Sequence, residues 1–156
     1  MVDRRDWAGW LQGPRKSLES QGIDLGYPGQ RLGAPERGPG AVARFGGRIV
    51  ALMIDWVSAI LLARALRDLV ELEFELDLLT LFVFFLHTWL FITLFGGTFG
   101  HQIMKMQIRT LSGKRVSILQ AAIRQLLVCL VIPPVIYDRD QRGLHDKATR
   151  LILVKI

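Results

Sequence analysis

Residues 46–66 read GGRIVALMIDWVSAILLARAL. Apolar side chains run from Ile49 to Leu66 with few breaks, the length of a membrane helix. Yet Arg48 opens the run and Asp55 stands inside it. A carboxylate at membrane depth costs about 2.5–3.5 kcal/mol on insertion scales, so it faces protein or water and needs a partner. Positions seven apart on a helix are separated by two turns, about 10 Å, and lie close to one face. Arg48 and Asp55 therefore share a face, with Ala51, Leu52 and Ala59 beside them.

Outward from this stretch, charge and hydrophobicity separate along the chain. Of 156 residues 51% are apolar, yet the net charge is +6. Such an excess fits Lys and Arg in loops beside membrane spans. No interleaved basic and aromatic pattern points to nucleic acid, and none is expected as a partner. Cys129 is the single cysteine and lies in an apolar run, so no disulfide framework or CxxC site is expected. Residues 1–20 lack the apolar core of a cleaved signal, so the first span is expected to act as the insertion signal.

Residues 1–45 read as a flexible Gly/Pro-rich tail, which buries too little apolar surface to offset its ordering entropy. Within it Trp7, Trp10 and Leu11 fall on one face of a short helix, a partner-docking or membrane-surface candidate. The second span, LLTLFVFFLHTWLFITLF at 78–95, has 18 residues and no formal charge. GGTFG at 96–100 reads as a turn at its end. MQIRT and RVSI flank Ser112-Gly113 as a hairpin signal. A third apolar segment, Ile118 to Ile132, contains Arg124 and stops at Pro133-Pro134. It is short for a span and reads as a spanning, re-entrant or interfacial helix. The fold expected is an all-α membrane protein. It has two transmembrane helices, this third short helix and a small cytoplasmic β-sheet (about 106–118 and 149–156).

Lys and Arg placement sets the expected orientation. The first loop is acidic, with Asp68, Glu71, Glu73, Glu75 and Asp77. The second carries Lys105, Arg109, Lys114 and Arg115, and the C-terminal end Arg139, Arg142, Lys147, Arg150 and Lys155. A multi-pass plasma-membrane protein with both termini cytoplasmic follows.

Partners for Asp55 are Arg124 or Arg48, and Asp146 in GLHDKATR lies near the same interface as Arg48. Arg48, Asp55, Arg124 and Asp146 form a charge-neutral set. GGRIVALMIDW, FGGTFGHQIMKMQIRTLSGKRVSILQAAIRQLL and DRDQRGLHDKATRLILV together resemble the RDD family of bacterial membrane proteins over about residues 40–154. The family is named for one Arg and two Asp, matched by Arg48, Asp55 and Asp146. The Gly/Pro-rich lead-in GYPGQRLGAPERGPGAV is similar to the tails of actinobacterial members. Two departures stand out: the stretch from Arg124 to Gly143 is short, and His101 stands where Lys is common.

The resemblance implies transport or ion exchange. The residues give two readings of their own. In one, the Arg/Asp set couples ions, with His87 and Asp55 relaying protons and His145 nearby, in an oligomer or with another membrane protein. In the other, the chain is a non-catalytic accessory or scaffolding subunit in contact with lipid and a membrane partner. No GxSxG, HExxH or P-loop occurs, and His87, His101 and His145 lack metal-ligand spacing. No enzyme, metal or cofactor is expected.

Overall fold

The computed structural model describes residues 19, 21–24, 26–71, 73–130 and 140–156. Helix α1, Phe45–Val70, has 26 residues and rises about 39 Å. Helix α2, Leu76–Phe95, has 20 residues and rises about 30 Å, the thickness of a hydrocarbon core. Both are long and apolar enough to cross a membrane. On each, every fourth residue is buried. Ala51, Asp55, Ala59 and Ala63 are buried on α1, and Thr80, Phe84, Thr88 and Ile92 on α2. Small residues in such rows let two backbones approach closely where lipid supplies no hydrophobic drive. The hydroxyls of Thr80 and Thr93 donate to the carbonyls of Leu76 and Trp89, one turn back, and so need no water.

Gly96 ends α2 at φ +74°, donating its N–H to Ile92 O, while its carbonyl accepts Ile108 N–H at 2.7 Å. That left-handed residue turns the chain back under the helix pair. A short helix α3, Phe99–Ile103, follows, then strand β1, Met106–Thr110. Helix α4, Ile118–Cys129, and helix α5, Leu144–Ala148, precede strand β2, Leu151–Lys155. The strands pair antiparallel with Ile108 opposite Leu153. Residues 40–43, read in the sequence as part of the tail, run along the other side of β2: Lys155 N–H reaches Ala41 O and Ala43 N–H reaches Leu153 O. Both edges of β2 are therefore paired. Leu151 and Leu153 join Ile108, Met106, Val116 and Ile92 in the main core, and Ile152 and Val154 pack with Val42.

The small sheet agrees with the sequence, except that RVSI is not a strand. Val116 enters the core instead, and Ser117 caps α4 by accepting Gln120 N–H while Gln120 reaches back to Ser117 N–H. Two reciprocal caps outweigh a second hairpin arm at this point. At 12 residues α4 rises about 18 Å, too short to cross alone. Its burial is inverted: Ala121, Arg124 and Gln125 face inward while Leu119, Leu126 and Leu130 are exposed. The indole N–H of Trp89 on α2 donates to Ile118 O and fixes the start of α4.

Candidate functional site

Asp146 is the centre of the site. It sits in the first turn of α5 and is 0% exposed. Its Oδ2 accepts from Arg48 Nη1 at 2.7 Å and its Oδ1 from Arg124 Nε at 2.7 Å. One carboxylate thus ties α1, α4 and α5 together. Arg48 also donates through Nε to Ala43 O, anchoring the residues that flank β2. His145 Nε2 lies 3.3 Å from Asp146 Oδ1 and 3.4 Å from Arg124 Nη2. Burial alone would raise the Asp146 pKa, but Arg124, His145 and Arg48 outweigh it and hold the carboxyl well below the usual carboxylate range.

Asp55 is 2% exposed, as its depth requires, but its partner is not the one expected. Neither Arg124 nor Arg48 forms an ion pair with it among the described residues; both are taken by Asp146. Instead Asp55 Oδ1 accepts Gly100 N–H at 2.7 Å, and the Thr98 hydroxyl bonds the same carboxylate. Thr98 is the N-cap of α3, and its own oxygen accepts His101 N–H at 3.2 Å. The first backbone N–H groups of a helix have no partner within it. Asp55 supplies one from a different helix, with its charge at the positive end of the α3 dipole. The physical reason for the correction is donor geometry: one backbone N–H and one side-chain hydroxyl meet Asp55 locally, while the arginines share a carboxylate that can take both.

Gly100 makes this possible. A Cβ there would lie 2.0 Å from Ala51 O and 2.9 Å from Ala51 Cα, so only glycine lets α3 press against the α1 backbone. His101 is buried behind it and accepts Thr98 N–H on Nδ1 at 3.1 Å. Burial and then the Arg124 charge push its pKa well below 6.5, so the ring is neutral.

The structure brings together Arg48, Arg124, His145 and Asp146, with Asp55 one step away through α3. His87 is apart from Asp55's carboxylate. Its Nε2 lies 3.4 Å from Ser58 Oγ, and Ser58 donates to the backbone carbonyl of Asp55. The ring packs edge-on against Phe91. Trp7, Trp10 and Leu11 lie outside the described residues. Thr98, Gly100 and Gln125 escaped the sequence reading, and His101 was marked there only as a departure from Lys. The T-x-x-H spacing at 98–101 was the available capping signal.

Between α1 and α4 the polar residues open onto a cavity of about 430 Å³. Its lining includes the polar Arg48, Asp55, Arg124 and Gln125 and the apolar Leu52, Met53, Trp56, Leu81, Phe84 and Val128. Met53, Trp56 and Leu81 are exposed at its edge.

Charged groups inside, apolar groups outside and two helices of spanning length define a small membrane protein. The RDD family model matches residues 42–150, and the chain belongs to that family. No curated protein and no solved structure matches.

These contacts rank two substitutions. Asp55→Asn keeps an oxygen for Gly100 N–H and removes a charge, and is expected to cost about 1–2 kcal/mol. Arg124→Ala leaves Asp146 with half its compensation and opens the core, and is expected to cost about 3–5 kcal/mol. Unfolding of the purified variants in detergent checks the order; an Asp55→Asn loss equal to that of Arg124→Ala contradicts it.

Proposed function

We propose that the chain is a non-catalytic accessory subunit of the plasma membrane, with both termini cytoplasmic, whose Arg/Asp cluster holds a platform for another membrane protein. The observation that carries the reading is where polarity stops. Beyond Asp55 the inward face of α1 continues as Ala59 and Ala63. On α2 the hydroxyls of Thr80 and Thr93 are turned onto their own helix. Among the described residues one chain therefore lines no polar route across the bilayer. The charged groups are mutually neutralised at one end, which is what a clamp requires and a carrier site does not.

The family resemblance and the buried Asp55 keep ion coupling as a second reading. Its specific support is the Ser58–His87 contact three residues beyond Asp55, the one polar pair deeper in the helix pair among the described side-chain contacts. It requires a second copy or a partner to complete a path.

One set of preparations separates the readings. In liposomes carrying the purified chain, proton and cation gradients should decay as in empty liposomes, and a membrane protein should co-purify stoichiometrically in mild detergent. Gradient decay abolished by Asp55→Asn, with no partner retained, would establish ion coupling instead. For orientation, Asp3→Cys and Lys155→Cys in a Cys129→Ser background should both resist an impermeant thiol reagent in intact cells. External labelling at either position contradicts the assigned topology.

A further inference from the structure

The cavity between α1 and α4 has the form of an amphiphile site, and the geometry points to a phospholipid as its occupant, with the phosphodiester at Arg124 and Gln125 and an acyl chain along Leu52, Trp56 and Phe84. The inference goes beyond the accessory reading and requires only that α1 and α2 lie in a bilayer.

Gln125 is the first support. It is 1% exposed, lines the cavity, and its Oε1 has no hydrogen-bond partner among the described residues. A buried amide without a partner is costly, and its O and N ends exchange by a simple flip. Either end toward the cavity asks for a polar ligand group. Arg124 is the second. Its described bonds use Nε, to Asp146, and Nη2, toward His145, which leaves Nη1 for a ligand. A guanidinium N–H and an amide together suit an acceptor-rich phosphate.

The cavity's shape supplies the rest. It follows α1 from Phe45 to Trp56, about 16 Å of helix rise, from the end that carries the sheet toward the middle of the span. Arg124 and Gln125 present polar groups within a lining that is mostly apolar, as an amphiphile's head and chain together require. About 430 Å³ lies within the usual range of small-molecule sites, roughly 300–1,000 Å³. Basic pockets between membrane helices hold lipid head groups by this means. The formal charges of Arg48, Arg124, Asp55 and Asp146 cancel, so the phosphate is recognised rather than a net negative head. Zwitterionic and acidic phospholipids are therefore held alike.

Native mass spectrometry of the full chain from mild detergent tests this. One phospholipid per chain should survive, whether phosphatidylethanolamine or phosphatidylglycerol is added. Diacylglycerol, which lacks the phosphate, and inorganic phosphate, which lacks the chain, should not be retained. Gln125→Leu keeps the side-chain volume and all the ion pairs, and should cut retention about tenfold. Val128→Trp should block the apolar part and abolish it. Circular dichroism confirms that both variants keep their helices. Absence of lipid, equal retention by Gln125→Leu, or equal retention of diacylglycerol overturns the proposal. Binding of inorganic phosphate alone would make the site a free-anion site and overturns it as well.

Discussion

Asp146→Asn should lose about 3–5 kcal/mol, enough to leave a marginally stable chain largely unfolded. The substitution is nearly isosteric, so the loss measures charge rather than packing. In the native protein Arg48 and Arg124 each place a donor 2.7 Å from an Asp146 oxygen, with all three side chains at most 5% exposed. An amide accepts from one of them through its oxygen and turns an N–H₂ toward the other. Two guanidinium groups then remain buried against one remaining carboxylate, Asp55, which already serves α3. Chemical unfolding in detergent reads the loss directly; a change below about 1 kcal/mol would mean that the ion pairs add nothing net.

The same carboxyl leaves a mark in pH. Its folded-state pKa lies below the ordinary 3.8, so the unfolded chain binds its proton first. Its contribution is fully present above that value and is lost as pH falls below it. His101, held neutral and depressed below 6.5, adds a loss of the same sign that begins as pH drops through 6.5. Wild-type stability should therefore fall in two stages on acidification. Asp146→Asn should keep the stage near 6.5 and lose the acid one.

Gly100→Ala should cost about 3 kcal/mol or more, for a single added methyl group. The obstacle is backbone: the new Cβ would sit 2.0 Å from Ala51 O, which a helix carbonyl cannot vacate by a rotamer change. Helix α3 must then move off α1, and the 2.7 Å bond from Gly100 N–H to Asp55 is lost with it. Asp55 would stay buried with its charge less well met. Gly46→Ala is the natural control. It lies in the first turn of α1, where an added Cβ would meet nothing within 4 Å, and should be neutral or slightly stabilising through helix propensity. Equal melting temperatures for Gly100→Ala and wild type would contradict the close approach.

The two spans were legible because membrane helices announce themselves by length and hydropathy, and α1 and α2 do so without tertiary help. Their contact rows were legible in part: Ala51, Ala59 and Ala63 recur at multiples of four residues, but Thr and Phe on α2 give no comparable signal. Strand β2 was readable from RLILV because its apolar run is short and follows a turn. The false hairpin arm at RVSI had the right alternation, and only the S-x-x-Q cap at 117–120 argued for a helix. Asp55 was found through its cost at depth and Asp146 through its place near Arg48, but the partner of Asp55 was not found. Which carboxylate takes an arginine depends on where α3 and α5 dock, and these docks rest on Gly100 and on a 2.7 Å contact between Arg48 and Asp146, 98 positions apart. Gln125 carried no signal at all, because a glutamine facing inward on an amphipathic helix looks from sequence like one facing water.

The most direct measurement is a double-mutant cycle between Arg48 and Asp146, with Arg48→Met, Asp146→Leu and the pair together compared in reversible unfolding. Each single change strands buried charge, and the double change leaves Arg124 beside Asp55. If Asp146 is the clamp that joins α1 to α5, the double variant should be more stable than the sum of the single losses predicts, by about 2 kcal/mol or more. Losses that add to within about 0.5 kcal/mol would mean that the two residues do not act on each other, and would contradict the clamp.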